Sequence, residues 1–282
     1  MNADYLLFGL NAVSRAHSLD YFEDGHRGGA IISAIYLCKE NPVEDEVPQV
    51  LGRLIDKHWT HTDLCAPFPD EDAQPELRQR ILDTLARNTD GLRQAGHNVI
   101  LPTLALKAFT DVPEAVTESR VEGICRLIES FTVSDVPGSD PVEVPNPVHG
   151  QAFAEFVLEE FLECGRRFDG RGQGWTGHLL TYSRALLDLQ CMGYLETVQA
   201  ARAGFEAFIR RIRLGPLESD IPREEHSRKE AKPLQKQYWV EQEGDWNLGH
   251  VVKYPYGFYG ILGYAQDRAL VDRCMTEVYR IF

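Results

Sequence analysis

One dipeptide, Gly-His, recurs four times along this chain, and each copy opens an apolar run long enough for a helix. The copies are Gly25-His26 before RGGAIISAIYLC, Gly96-His97 before NVILPTLALKAF, Gly177-His178 before LLTYSRALLDL, and Gly249-His250 before VVKYPYGFYGILGY. With 23 Gly and 9 His in 282 residues, chance would place about 0.7 such pairs, and the histidines follow one another at about 71, about 81 and about 72 residues. The recurrence marks an internal repeat, which restricts the chain to folds assembled by stacking one kind of unit.

The second half of each unit recurs as well: LGRLIDKHW, VEGICRLIESF, ARAGFEAFIRRI and VDRCMTEVYRIF each carry apolar residues at helical spacing. Two of them are announced by an acidic-Val-Pro step, Glu46-Val47-Pro48 and Asp111-Val112-Pro113. Proline is cheap just inside a helix start, where the first amides have no intrahelical partner. A third amphipathic segment precedes each of the first three Gly-His steps, at 3–17, 75–95 and 151–168, and a degenerate, shorter one at 234–246 precedes the fourth. No sustained alternation of apolar and polar residues between turn dipeptides signals a strand. The expectation is an all-α chain forming a single domain over 1–282, a four-fold helical-hairpin repeat with units at 22–60, 93–132, 174–213 and 246–282. Closure into an α/α toroid or helical ring is expected, with an open solenoid as the alternative.

Composition excludes several classes of partner. Lys+Arg 29 against Asp+Glu 43 gives a formal charge of -14 with no basic stripe, so neither nucleic acid nor an anionic membrane is an expected partner. The apolar runs fall short of a bilayer span. The start, MNADYLLFGLNAV, lacks the basic segment of a signal peptide. Cys38, Cys65, Cys125, Cys164, Cys191 and Cys274 show no CxxC spacing and read as reduced, mostly buried thiols of a cytoplasmic protein. Three irregular stretches, 61–74, 132–148 and 216–232, interrupt the helices; the last is charged, and reads as disordered or as a lid. The Gly-rich run DGRGQGWTG at 169–177 lacks both the strand and the Lys-Ser/Thr ending of a phosphate loop, so it reads as a connection.

If equivalent helices gather about an axis, His26, His97, His178 and His250 converge on one cavity. A helix N-terminus disfavours imidazolium, and neutral imidazole is what a divalent ion such as iron, copper, manganese or zinc requires. The four are therefore candidate catalytic groups and candidate metal ligands. The competing explanation is duplicated architecture, each ring packing against a neighbour or bonding to the backbone. Trp175, Tyr182, Trp246, Tyr254 and Phe258 lie near the third and fourth copies, Tyr182 and Tyr254 each four residues after their histidine and so on the same helix face. They would bind a flat apolar substrate, or simply fill a core. Lys253, three after His250, is a further substrate-binding candidate whose amine burial would keep neutral, unless it faces solvent. His58, His61, Asp63 and Cys65 have metal-like spacing but sit at an outer helix end, where a surface role fits better. His17, His149 and His226 have no repeated context. The serine-hydrolase elbow and the zinc-protease His-Glu-x-x-His are missing from the sequence, and no Gly-x-Gly-x-x-Gly of the dinucleotide-binding kind follows a strand.

The units AGHNVILPTLALKAF and DGHRGGAIISAIYLC resemble the histidine-led helices of questin oxidase-like proteins. The resemblance covers the four histidines and their helices, well under half the chain. It implies a helical fold, an oxidoreductase that opens an aromatic polyketide ring, and NADPH or a similar reduced nicotinamide as co-substrate. Two other functions compete with a histidine-based enzyme acting on an aromatic small molecule. One is a carbohydrate-active lyase or hydrolase with Trp175 and Trp246 as platforms and Asp24 and Asp245 as acids. The other is a non-catalytic repeat scaffold.

Overall fold

A computed structural model gives the fold, described for residues 1–18, 25–138, 140–171, 174–222, 228–242 and 249–281. Among the described residues there are twelve α-helices and no strand, only two isolated bridges, Arg93 with Val133 and Arg171 with Pro222. No helix is long and apolar enough to cross a membrane among these residues.

The helices follow one another as four triplets. They are α1 (Asp4–Arg15), α2 (His26–Glu40) and α3 (Val47–Ile55); α4 (Arg78–Ala86), α5 (His97–Asp111) and α6 (Glu118–Ser130); α7 (Gly150–Arg167), α8 (Gly174–Cys191) and α9 (Leu195–Leu214); α10 (Lys236–Glu241), α11 (His250–Leu262) and α12 (Arg268–Glu277). The middle helix of each triplet is the histidine-led one. In α2 and α8 its buried residues lie on every side: Ile31, Ile32, Ala34 and Leu37 in α2, and an unbroken run from Thr176 to Leu189 in α8. A helix apolar all round must be enclosed by others, whereas a helix that buries one stripe keeps the other face in water. The third helices are of the second kind. In α6, Val121, Ile124, Cys125 and Ile128 are buried while Arg126 and Glu129 are exposed. The short α10 matches the degenerate segment before the fourth Gly-His.

Two local details depart from the sequence pattern. Pro48 does lie in the first turn of α3, but Pro113 belongs to a short 3-10 turn, Pro113–Ala115, and α6 begins only at Glu118. The third histidine helix starts at Gly174, so His178 sits one turn inside it, while His26, His97 and His250 are the first residues of theirs. The positive helix end therefore acts directly on three of the four histidines and only weakly on His178.

The chain gathers into two compact units. The first is Met1–Asn88, Asn98–Phe131 and Ala231–Tyr256; the second is Thr89–His97, Thr132–Glu230 and Gly257–Phe282. In the first, α1 packs on α2 and α6, α6 also on α4, and α3 on α2 and α10. The α1–α2 contact is backbone-close at Gly28, where a Cβ would stand 2.8 Å from both Ala12 Cβ and the Val13 amide nitrogen. In the second, α7 packs on α8 and α12, and α8 on α9. All six cysteines are free thiols, with Cys65, Cys125, Cys164 and Cys274 buried. Burial pushes the Cys164 thiol up to about 12, so it stays protonated and inert.

Because the α1 backbone cannot retreat from α2, Gly28→Val should lower the unfolding free energy by about 1–3 kcal/mol from overpacking, measured by denaturant titration. An unchanged midpoint would show that the two helices can part at no cost.

Candidate functional site

The four repeated histidines form two pairs, one in each unit. In the first unit His26 and His250 stand edge to face with ring centroids 4.6 Å apart. In the second unit His97 and His178 do the same at 4.6 Å, with ring planes 67° apart. The first copy thus pairs with the fourth and the second with the third. All but His250 are buried, His26 completely.

The His97–His178 pair is determined to the level of single nitrogens. His97 Nδ1–H donates to the carbonyl of Gln94, and His178 Nδ1–H donates to the carbonyl of Gly174 at 2.5 Å. A carbonyl oxygen has only lone pairs to offer, so the proton on each ring is assigned to Nδ1. In the neutral ring that leaves Nε2 as an acceptor, and the two Nε2 atoms face each other at 3.0 Å. Two lone pairs at that distance repel. Something positive has to lie between them, either a proton on one ring or a metal ion. Two imidazoles bound to one ion at Zn–N of about 2.0–2.1 Å place their nitrogens about 2.8–3.4 Å apart for angles between right and tetrahedral. His97 and His178 can therefore hold a metal ion.

The backbone leading into His97 is unusual. Gln94, Ala95 and Gly96 have φ of 42°, 56° and 89°, three consecutive residues in the left-handed region. For the two with a Cβ this costs of order 1–3 kcal/mol each, and such strain persists only where surroundings impose it. Here they do. Arg93 bridges Val133, the Ser134 amide donates to the Leu92 carbonyl at 2.7 Å, and the Gln94 amide donates to Ser134 Oγ at 3.2 Å. The turn aims the Gln94 carbonyl at His97 Nδ1 and so sets the tautomer. Sequence reasoning missed this turn; its visible trace is QAGH, where glycine is the one residue suited to a positive φ. It missed, too, that α5 and α11 each carry a proline five residues after the histidine, Pro102 and Pro255.

The aromatic candidates divide. Tyr254 stacks on His250, centroids 4.7 Å apart and planes within 13°. Tyr182 packs against Gly96 and against Phe205 at 5.2 Å, and its hydroxyl donates to the Ala201 carbonyl at 3.2 Å, so its ring wedges the turn before His97 and its polar end is already used. Phe258 is fully buried against Phe161 and Tyr259. Trp175 donates Nε1–H to Asp220 at 2.8 Å and lies under the Arg211 guanidinium, 4.4 Å from the ring centre. It is committed to a cluster in which Arg211 also binds Asp220 at 2.6 Å. Burial alone would raise the Asp220 carboxyl; the Leu217 amide, Arg211 and Trp175 outweigh it and hold it below its ordinary value. That buried residue anchors the described part of 216–232. Lys253 is 1% exposed.

Trp246, Asp24, Asp245 and His226 lie outside the described residues, as do parts of 169–177 and 216–232. His61 and Asp63 are exposed while Cys65 is buried, so the His58–Cys65 segment does not gather its candidate ligands on one face. His149 is exposed, and His17 Nδ1 lies 3.0 Å from the Ser14 carbonyl.

Two outcomes follow for stability. Gly96→Ala meets both a left-handed φ and the Tyr182 ring, whereas Gly138 has a similar φ of 84° and nothing within 4 Å. Gly96→Ala should therefore cost about 1–3 kcal/mol more than Gly138→Ala by equilibrium unfolding; equal costs would mean that Tyr182 does not wedge the turn. Asp220→Ala strands the Arg211 charge and should cost about 3–5 kcal/mol. Because the folded carboxyl is depressed, its contribution is present above the unfolded value of about 3.9 and disappears as pH falls through the folded value. The gap between wild type and variant should accordingly close in acid.

Comparison of the chain with protein-family models, with curated proteins and with solved structures finds no match.

Proposed function

We propose that this protein is an enzyme acting on an apolar, aromatic small molecule, with a divalent cation held between Nε2 of His97 and Nε2 of His178. The observation that carries the proposal is the pair of apposed Nε2 atoms, 3.0 Å apart on rings whose protons are committed to backbone carbonyls. Carbonyl partners of this kind are what orients a metal-binding imidazole and raises its basicity. A bound cation would supply Lewis-acid chemistry at that point. His97 and His178, nearly buried, would shield the ion from bulk water, and the strained turn at Gln94–Gly96 would hold the first ring in its binding tautomer. The chemistry proposed is oxidation of the questin oxidase-like kind, with a reduced nicotinamide as co-substrate, on a four-fold helical repeat of the α/α-toroid type. Its support is the sequence resemblance and the four helical triplets in chain order.

A metal-free version has the same geometry in its favour. A spacing of 3.0 Å is also that of an N–H···N hydrogen bond, in which one ring is an imidazolium and the pair works as an acid and base sharing a proton.

Elemental analysis separates the two. Protein purified without chelator or histidine tag should contain near-stoichiometric iron, copper, manganese or zinc, and His97→Ala and His178→Ala should each lower it by at least about tenfold while circular dichroism stays helical. His26→Ala and His250→Ala serve as the matched pair, reporting any ion held in the first unit. A wild-type protein without metal after attempted reconstitution would overturn the cation and leave the shared proton. Unchanged metal in both second-unit variants would place the ion elsewhere.

A further inference from the structure

Among the described residues, the Arg, Lys and Asp side chains less than a tenth exposed come in matched pairs, with one exception. Arg184 binds Asp188 at 2.9 Å within α8, and Arg211 binds Asp220 at 2.6 Å. Even the part-buried Lys107 in the first unit is satisfied, with Glu40 at 2.6 Å and the Tyr256 hydroxyl at 2.9 Å. Lys253 is the exception. It is 1% exposed, among the largest fully buried side chains, and no hydrogen-bond acceptor or carboxylate meets its amine among the described residues.

Its stem lies in apolar surroundings. A Cβ built on Gly29 of α2 would stand 3.5 Å from Lys253 Cδ, 2.9 Å from Leu101 Cδ2 and 3.4 Å from Leu104 Cδ1, so the lysine stem lies against α2 beside two leucines. The same helix places His250 three residues earlier, one turn away. An unmatched buried ammonium costs several kcal/mol, roughly, and a hydrophobic residue of similar length would remove that cost. Burial lowers the Lys253 ammonium well below its ordinary value, with no opposing charge among the described residues to restore it. Burial thus favours the neutral amine, which carries a nucleophilic lone pair, over the ammonium.

We infer that Lys253 is a carbonyl-capturing nucleophile of the first unit, forming an imine with a small apolar aldehyde or ketone. The amine nitrogen adds to the carbonyl carbon and the C–N bond forms. The nitrogen then gives up its two protons to the former carbonyl oxygen, which leaves as water, and a C=N bond remains. No oxidant or reductant takes part. Leu101 and Leu104 beside the lysine stem favour uncharged, preferably aromatic, carbonyl compounds over sugars and keto acids.

Reductive trapping tests this on the full chain. The folded protein is treated with benzaldehyde and cyanoborohydride at pH 7, 8 and 9, digested, and each lysine scored for the benzyl adduct by mass spectrometry. Exposed amines with an ordinary value near about 10.4 should lose about tenfold in labelling per pH unit on going down. Lys253 should lose clearly less per pH unit than they do and dominate at pH 7. Lys253→Met should abolish the dominant adduct, and the wild-type map decides the matter even if that variant does not fold. The inference is overturned if Lys253 stays unlabelled while surface lysines react, or if its labelling falls with pH in parallel with theirs.

Discussion

Two neutral imidazoles that both donate through Nδ1 cannot rest with their Nε2 lone pairs 3.0 Å apart. The repulsion needs a positive charge between the rings, and much of the second unit is arranged so that the rings cannot turn away from it. Gln94 accepts from one and Gly174 from the other. The turn that presents the Gln94 carbonyl is strained, and it is held by the 132–134 segment on one side and the Tyr182 ring on the other. Strain maintained by this many independent contacts is characteristic of places where geometry matters more than stability. Tyr182, one of the aromatic residues expected to contact a substrate, serves this geometry from behind.

The same contrast between cost and retention runs through the buried charges. The protein neutralises Arg184 and Arg211 with carboxylates close in sequence, and Lys107 with a carboxylate and a phenol, so its helices are able to supply counter-charges where they are wanted. Leaving Lys253 alone among Leu101, Leu104 and Gly29 is therefore a difference in kind. A leucine or methionine would pack there at lower free energy, and the local conflict points to chemistry rather than architecture.

The helices were legible because apolar spacing and Gly-His starts act over neighbouring residues. Histidine positions alone located the middle helix of every triplet, and even the shortness of α10 follows from its degenerate sequence. Which histidine meets which was not legible, since pairing of His97 with His178 is a contact across 81 positions that no local signal encodes. Nor could the pattern tell a side chain that lines a site from one that fills a core. Tyr182 and Tyr254 occupy the same place four residues after a histidine, yet one turns its hydroxyl to Ala201 and the other stacks on its imidazole. The extra turn of α8 ahead of His178 was hidden by the Gly-rich run, because glycine discourages a helix locally while the surrounding packing imposes one. Trp175 shows the same limit, its ring claimed by Arg211 and Asp220 from segments far along the chain.

Neither unit is a continuous piece of chain, and Thr89–His97 belongs to the second unit although the residues on both sides of it belong to the first. This arrangement has a consequence in time. At a synthesis rate of about 5–20 residues per second, His97 leaves the ribosome about 4–16 s before His178 follows it. During that interval the left-handed turn has neither Tyr182 behind it nor an imidazole opposite, so Gln94 and Ala95 are free to relax into ordinary backbone. The strained turn is thus a late product of folding, made when α8 arrives. A fragment that stops at Phe131 would carry His97 without the Ser134 clasp or the partner ring that gives its tautomer meaning.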